Sequence, residues 1–463
     1  MKSDQKFLYR LLCSIILTVI AAGSFYYAWN CFIQVKLSPD TLIGHDILII
    51  VMSVYAFVFC LSFLKMRGFS IGADRKINTV ASQVIALLTT DIIEIMVMMA
   101  VIRRSDSFGL IISDILILFL VQSVIIPLVS VIMIEIYRKV FPPLSLVEIY
   151  GNDKNDIYIK MGNVRYKYFI DERLHYQSEN VKEAISEHDA VLISDVPVSE
   201  RDRLLQYCFD IGKRVYFTPE IADIIVKYTE ELKLFDTPLY LSRNDGISKT
   251  ELFIKRLFDL VFSSIGLAVL SPVFLIVALA IKLEDGGPVF FRQERCTIGG
   301  RRFMIIKFRS MIVGAEKDGR PHPAGKHDDR ITKVGRIIRT IHVDELPQII
   351  NIIKGDMSIV GPRPERVEHV LKYTAELPEF TLRNKVKSGL TGYAQVYGKY
   401  NTTALDKLKL DLAYITNYSL LLDLKIIIET VKILFRKENS EGFTEEKAAE
   451  IHDADINGSA GNK

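Results

Sequence analysis

The sequence predicts a multidomain membrane protein: a four-helix transmembrane bundle, a Rossmann-like α/β middle domain, and a mainly helical third domain with a re-entrant membrane helix. Three observations predict it. Hydrophobic residues make up 49% of the 463 and mean hydropathy is +0.23, too apolar for a wholly soluble chain. Apolar stretches near the ~20 residues that a bilayer core requires fill the N-terminal third. β-rich runs then alternate with charged helical stretches, and a further long apolar segment follows them. The net charge of only +3 argues against a nucleic-acid binder. Cys13, Cys31, Cys60, Cys208 and Cys296 show no CxxC spacing, which excludes a disulfide framework or zinc site and leaves reduced thiols.

The bundle occupies residues 1–140, with spans from about Phe7 to Trp29, Leu42 to Leu64, Val80 to Ile102 and Leu110 to Ile136. The first is too long, and lacks the small-residue cleavage pattern, for a signal peptide. Lys2, Lys6 and Arg10 precede it, Lys65, Arg67, Arg75 and Lys76 separate the second span from the third, and Arg138 and Lys139 follow the fourth. The positive-inside rule therefore puts both ends of the bundle in the cytoplasm, although Arg103 and Arg104 fall on the outer side. Asp91 and Glu94 share one face of the third span. With no internal repeat or glycine-broken partner span beside them, they read as meeting a partner helix or a cytoplasmic-side cavity.

Residues 145–245 form the predicted α/β domain, through the runs VEIYG, YKYFIDE, AVLISD and RVYFTPE. The first strand ends in Gly151-Asn-Asp-Lys-Asn155 rather than GxGxxG, so the dinucleotide fingerprint is missing. Nucleotide or acyl-nucleotide binding and a regulatory or structural role both remain open for this domain.

A segment over 255–283 is long enough to span, with Ser271-Pro272 near its centre. Crossing would strand Arg292, Arg295, Arg301 and Arg302 outside while Lys255 and Arg256 stayed inside, which the positive-inside rule disfavours. A helix broken at Pro272, with the Ala268 carbonyl left for water, a neighbour or Ser271, can enter the bilayer and return to the same face; the alternative is a fifth crossing helix with a tolerated proline.

Thirteen Lys and Arg against five Asp and Glu lie between Arg292 and Arg339, a patch suited to phosphate-rich ligands or anionic head groups. The stretch HVDELPQ, His342 to Gln348, follows. Pro347 fits only the first turn of a helix, so a helix begins near Val343 or Asp344 and runs to Gly355. Asp344 and Glu345 then stand at a helix N-terminus, where carboxylates are stabilised and phosphates are tolerated. Adjacent carboxylates amid arginines match metal-assisted phosphoryl transfer, with Mg²⁺ (or Mn²⁺) held by oxygen ligands. Arg336 and Arg339, one turn apart, add phosphate contacts.

In order and spacing, GGPVFFRQ (Gly286 to Gln293), KFRSM (Lys307 to Met311), DELPQ (Asp344 to Gln348), KGDMSIVGPRPE (Lys354 to Glu365) and SGLTGYAQVYG (Ser388 to Gly398) resemble the bacterial sugar transferases that act as polyprenyl-phosphate glycosylphosphotransferases. The resemblance covers about Lys255 to Lys437, and the preceding spans and α/β domain resemble the large monotopic branch of that family. It implies a monotopic phosphoglycosyltransferase domain over 250–437 that moves a sugar 1-phosphate from a nucleotide diphosphate sugar, a UDP-sugar, to polyprenyl (undecaprenyl) phosphate, at the start of capsule, exopolysaccharide or O-antigen assembly. Asp344 matches the nucleophile that forms a sugar-phosphoryl aspartate, and Glu345 its metal-associated partner. Lys307 and Arg309 match the basic strand, and Arg363 a residue near the nucleotide phosphates. The implied partners are the lipid phosphate, the nucleotide sugar and the membrane, without nucleic acid and with a homodimer compatible; the implied location is the inner (plasma) membrane with the catalytic domain facing the cytoplasm. The family pattern has Ser where His342 stands, and His342 reads as a tolerated surface substitution, with capping or phosphate binding as the alternative.

Ala404 to Tyr418 and Leu421 to Phe435 read as amphipathic helices, either at the membrane interface or packed into the catalytic core. Residues 438–463 read as a disordered acidic tail. A membrane-anchored sensor leaves DELPQ, KFRSM and PRPE without a task, and a transporter is poorly served by four spans without repeats.

Overall fold

The computed structural model of the chain describes residues 2–33, 45–102, 108–152, 157–162, 164–234, 237–242, 246–315, 328–398 and 402–434. The predicted tail, residues 438–463, lies outside them, as do Arg103, Arg104 and most of the loop after the first sheet strand. Five helices among these residues are long and apolar enough to cross a membrane, and the chain is a membrane protein with an α/β domain. It divides into two compact units, one running to Thr218 and the other opening at Pro219.

In the first unit, α1 (Lys2–Ala28), α2 (His45–Lys65), α3 (Lys76–Ile102) and α4 (Phe108–Val140) pack on one another. Helices are the form in which an apolar segment satisfies its own backbone. Their shared core is aromatic: Phe25 stacks on Tyr55 at 4.2 Å between ring centroids, and Phe59 on Phe63 at 4.0 Å. Leu8, Phe57, Leu64, Met96 and Val124 face outward, as a lipid-facing surface does. Polar ties cross this core. Tyr55 donates to Gln122 Oε1 at 2.9 Å, Gln122 to Ser24 Oγ at 2.7 Å, and Gln83 to Ser130 Oγ at 2.7 Å. Asp91 and Glu94 are buried, but no hydrogen-bonding partner for their carboxylates is found among the described residues. The partner helix expected from the sequence is present, but it makes no hydrogen bond to either carboxylate among the described residues.

The α/β domain is a parallel sheet of β1 (Leu144–Tyr150), β2 (Tyr168–His175), β3 (Ala190–Ser194) and β4 (Arg214–Phe217), in the order β2-β1-β3-β4. All four strand runs read from the sequence are there. Helices α5 (Ile157–Gly162), α6 (Val181–Glu187) and α7 (Val198–Asp210) connect them. Every residue of β3 is buried, as a central parallel strand requires. Glu148 on β1 is fully buried, accepting from Arg173 Nε at 2.7 Å and Ser194 Oγ at 2.8 Å. The sequence reading extends this domain to residue 245, whereas the contact boundary falls at Thr218. Helix α8 (Ile221–Val226) carries Ile221 and Ile224 into the core of the second unit, beside Leu408 and Leu412. The hairpin of β5 (Glu230–Leu234) and β6 (Thr237–Leu241) goes with it.

The second unit is organised by α9 (Lys249–Asp285), 37 residues and so about 55 Å if straight. Ser248 and Glu251 form a capping box at its start, and Gly286 ends it in a left-handed conformation at φ 69°. The helical assignment runs from Lys249 to Asp285 with Ser271 and Pro272 inside it. The hydroxyl of Ser271 donates to the Ala268 carbonyl at 2.7 Å, which satisfies the acceptor that Pro272 leaves without its donor. Around α9 lie β7 (Phe290–Cys296), β8 (Arg302–Phe308), α10 (Lys333–Thr340), α11 (Gln348–Lys354), β9 (Ser358–Val360), α12 (Val367–Glu376), β10 (Gly389–Thr391), α13 (Tyr393–Tyr397), α14 (Ala404–Thr416) and α15 (Leu420–Leu434). The last two match the helices read from the sequence. They bury Leu408, Leu412, Ile415 and Ile426 in the core of the unit.

The root of α9 is held by a buried ion pair, Lys255 Nζ to Asp423 Oδ2 at 2.6 Å, with Tyr414 donating to the other oxygen at 2.8 Å. Lys255 is 6% exposed and Asp423 0%. Removing one member leaves an uncompensated buried charge, a change that costs about 3–5 kcal/mol. Asp423→Asn should therefore lower the thermal midpoint of the detergent-solubilised protein sharply, while the double change Lys255→Met with Asp423→Leu should recover most of the loss.

Candidate active site

Strands β7 and β8 pair antiparallel, with Phe291 opposite Lys307. Phe303 and Ile305, two apart on one face of β8, pack with Ile352 and Met357, while Phe308 packs from the other face with Val277 and Ile281. Asn351 on α11 staples the next layer to this strand: its Oδ1 accepts from Ile306 N at 3.0 Å and its Nδ2 donates to Met304 O at 2.9 Å. Lys307 therefore has a fixed backbone beneath it.

Asp344 and Glu345 stand on a 3₁₀ turn, Val343–Glu345, which leads through Leu346 and Pro347 into α11. The sequence reading starts the helix near Val343 or Asp344; α11 begins instead at Gln348 with Pro347 as its N-cap, and the two carboxylates stand on a separate, tighter turn before it. His342 enters this turn in the left-handed region at φ 56°, exposed and with no capping hydrogen bond. It is not a cap; its job is to turn the chain.

Glu345 Oε1 accepts from two cations at once, Lys307 Nζ at 2.6 Å and Arg363 Nη2 at 3.0 Å. Burial pushes this carboxyl up, but Arg363 and Lys307 outweigh it and hold Glu345 far below the usual carboxylate range. Asp344 makes no side-chain hydrogen bond or ion pair among the described residues. Burial, and then the Glu345 charge, push its carboxyl up, against Lys307, Arg339 and His342. Burial likewise pushes the Lys307 ammonium down, against the attraction of Glu345. The two acids are therefore unlike: one is clamped and firmly ionised, and the other carries no such bond among the described residues.

Of the residues expected from the sequence, the structure brings together Asp344, Glu345, Lys307, Arg363 and Arg339. Arg309 is elsewhere. It is 6% exposed and forks onto both carboxylate oxygens of Asp285, with its buried Nε left without a hydrogen bond among the described residues. Arg336 points outward from α10 and is exposed, and Ser271 and Pro272 are exposed on α9. No cluster of three or more His, Cys, Asp or Glu able to hold a metal occurs among the described residues. Oε2 of Glu345 makes no hydrogen bond among them, so together with the Asp344 carboxylate it is available to a cation whose other ligands are water and phosphate oxygens. Glu345 as a metal partner fits that donor set.

A layer behind the dyad is missed by sequence reasoning. Arg295 donates to Pro364 O at 3.1 Å and Gln293 Oε1 at 2.6 Å, and burial, then Arg366 and Arg363, push it down to about 10. Arg383 donates to Asp411 Oδ2 and also to the Arg363 carbonyl at 3.0 Å, fixing the loop that presents Arg363. Arg383 and Asp411 lie outside every quoted motif, and only folding reveals their pairing. Arg295 and Glu365 do fall inside or beside motifs.

A family profile described as "Bacterial sugar transferase" matches residues 250–437. A UDP-glucose:undecaprenyl-phosphate glucose-1-phosphate transferase of Caulobacter vibrioides is 43% identical over 192 residues, covering 40% of this chain and 71% of that protein. The chain belongs to the bacterial sugar transferase family. Other sugar transferases similar to it include the enzyme of the same description from Klebsiella pneumoniae, 41% identical over 47% of this chain and 48% of the relative. A UDP-N-acetylgalactosamine-undecaprenyl-phosphate N-acetylgalactosaminephosphotransferase of Aeromonas hydrophila is 43% identical over 53% and 59%. The match spans about half the length of these last two sugar transferases.

Asn351 supports the site without touching it. Asn351→Leu keeps the volume but strands the Ile306 amide and the Met304 carbonyl, each lost partner costing about 1–3 kcal/mol. The variant should melt well below the parent, and Asn351→Asp, which turns a buried carboxylate onto the Met304 carbonyl and Asp356, should also melt below the parent.

Proposed function

We propose that the protein transfers a sugar 1-phosphate from a UDP-sugar to undecaprenyl or another polyprenyl phosphate, giving polyprenyl-diphosphate-sugar and nucleoside monophosphate. The observation that carries this reading is the asymmetry of the dyad, an unencumbered Asp344 beside a Glu345 clamped by Lys307 and Arg363. Asp344 attacks the sugar-bearing phosphorus, the bond to the nucleoside monophosphate breaks with its electron pair leaving on that group, and a sugar-phosphoryl aspartate results. An oxygen of the lipid phosphate then attacks the same phosphorus and Asp344 departs as a carboxylate. Lys307, Arg339 and Arg363 face the charge that builds on the transferred group. Glu345, through Oε2, would help to hold a Mg²⁺ ion, which would supply positive charge to the diphosphate. The described relatives carry the same donor and acceptor classes in their names.

The proposal places the first four long helices across an inner (plasma) membrane with the catalytic unit on its cytoplasmic face, and α9 in the membrane without crossing it. Contacts at both ends of α9 support that placement. Near its start, Arg256 donates to the carbonyls of Ile352 and Ile353, and Asp259 accepts from Ile359 N at 3.0 Å. At its end, Glu284 and Asp285 bond Lys333 N and Arg309. All these partners belong to one compact unit, whereas a crossing helix separates its ends by a hydrocarbon core of ~30 Å. With Lys249→Cys and Arg292→Cys in intact cells, an impermeant thiol reagent applied from outside should label neither position; labelling of 292 alone would establish a crossing helix.

Enzyme supplied with UDP-sugar but no lipid should release nucleoside monophosphate in an amount limited by the enzyme, and Asp344→Asn should abolish both this burst and turnover. Chelation should suppress the burst and added Mg²⁺ should restore it. Asp344 acts as its anion, so the burst rate falls as pH drops through its raised pKa, above the ~3.9 of an ordinary aspartate. Glu345→Gln removes the adjacent negative charge and should move that limb to lower pH. Release of nucleotide only when lipid is present would instead favour direct attack by the lipid phosphate.

A further inference from the structure

The end of the membrane helix grips the site at several points. Asp285, its last residue, takes the buried Arg309 in a two-oxygen fork, with the Nη1 bond at 2.7 Å. Arg309 lies two residues beyond Lys307, and its amide is fixed to Val289 O at 2.9 Å. Glu284, one residue earlier, accepts from the amides of Lys333 at 2.7 Å and Val334 at 3.3 Å, at the first turn of the helix that carries Arg339. Between these polar contacts Val277 and Ile281 pack in one cluster with Phe308, Ile338 and Val343. Those three residues are the immediate chain neighbours of Lys307, Arg339 and Asp344. Gly287 keeps the fork open, since a Cβ there would lie 2.5 Å from Arg309 Nη1.

We propose that Glu284 and Asp285 are positioning residues that carry the seating of the membrane helix into the site, Asp285 setting Lys307 through Arg309 and Glu284 setting Arg339 through the start of α10. Arg309 is then a lever on the site, not a ligand to substrate. The grip lies where an apolar surface ends: Leu275, Ile276, Leu279 and Leu283 on the same helix are exposed. A change in how deeply the helix rests in lipid reaches the dyad through these two acids.

The activity arm of the test rests on the proposed transfer reaction; a second arm does not. In the full-length protein in lipid nanodiscs without substrate, amine-reactive labelling of Lys307 is read by mass spectrometry against the exposed Lys372. Asp285→Asn and Glu284→Gln should each loosen the site, and Asp285→Asn should raise Lys307 labelling severalfold. For transfer, Asp285→Asn should lower kcat about tenfold to a hundredfold, as misplacement of around 1 Å does, with the KM for the UDP-sugar little changed. Asp285→Glu, which keeps the charge, should recover part of both readouts and serves if the asparagine variant does not fold. Raised labelling with no transfer by the parent protein would sink the proposed reaction and leave the positioning role standing. Unchanged Lys307 labelling in a folded Asp285→Asn or Asp285→Glu protein, or a loss of kcat that only tracks a fall in thermal midpoint, would overturn the proposal.

Discussion

A carboxylate as enclosed as Glu345 stays ionised only because two cations reach one of its oxygens. Those cations come from distant parts of the chain, Lys307 from a strand and Arg363 from the loop after β9. The clamp therefore exists only when the hairpin, the 3₁₀ turn and the loop are all in register. Once formed, it fixes the neighbouring Asp344 without bonding to it. Much of the second unit can be understood as scaffolding for that junction: Asn351 holds the strand, Arg383 holds the loop, and the core beneath α11 holds the turn.

The same logic of paired charges recurs where α9 enters the unit. A lysine on a predominantly apolar helix would be costly to bury alone, yet Lys255 finds Asp423 and Tyr414 there. The bundle treats polar groups differently. Gln122, Tyr55 and Ser24 satisfy one another, while Asp91 and Glu94 lie enclosed with no such bond among the described residues.

Legibility in the sequence followed the range of the physics involved. The apolar helices, the four parallel strands and the presence of a helix start near Pro347 depend on neighbours in the chain, and periodicity or a proline's missing amide reveals them. Glu345 and its cations stand in motifs, so their proximity could be expected. The capture of Arg309 by Asp285 could not, because KFRSM as a string presents Arg309 and Lys307 alike. Only the hairpin's return to the end of α9 separates their fates. Asp411 and Arg383, 28 residues apart, give no local signal either. The domain edge near Thr218 was obscured for a similar reason: Ile224 looks like any helical isoleucine until the core it enters is known. At Pro272 the sequence shows a helix breaker, and the neighbouring Ser271 supplies the bond that the Ala268 carbonyl loses there.

Gly287 shows how such a grip constrains drift. Any side chain there would collide with the Arg309 guanidinium, so the glycine is tied to the arginine rather than to a turn of its own. A lineage that lost Arg309 would be released at 287 as well, whereas one that kept it is held to glycine there unless the guanidinium moves. What position 287 can become is in this sense conditional on a residue 22 positions later in the chain.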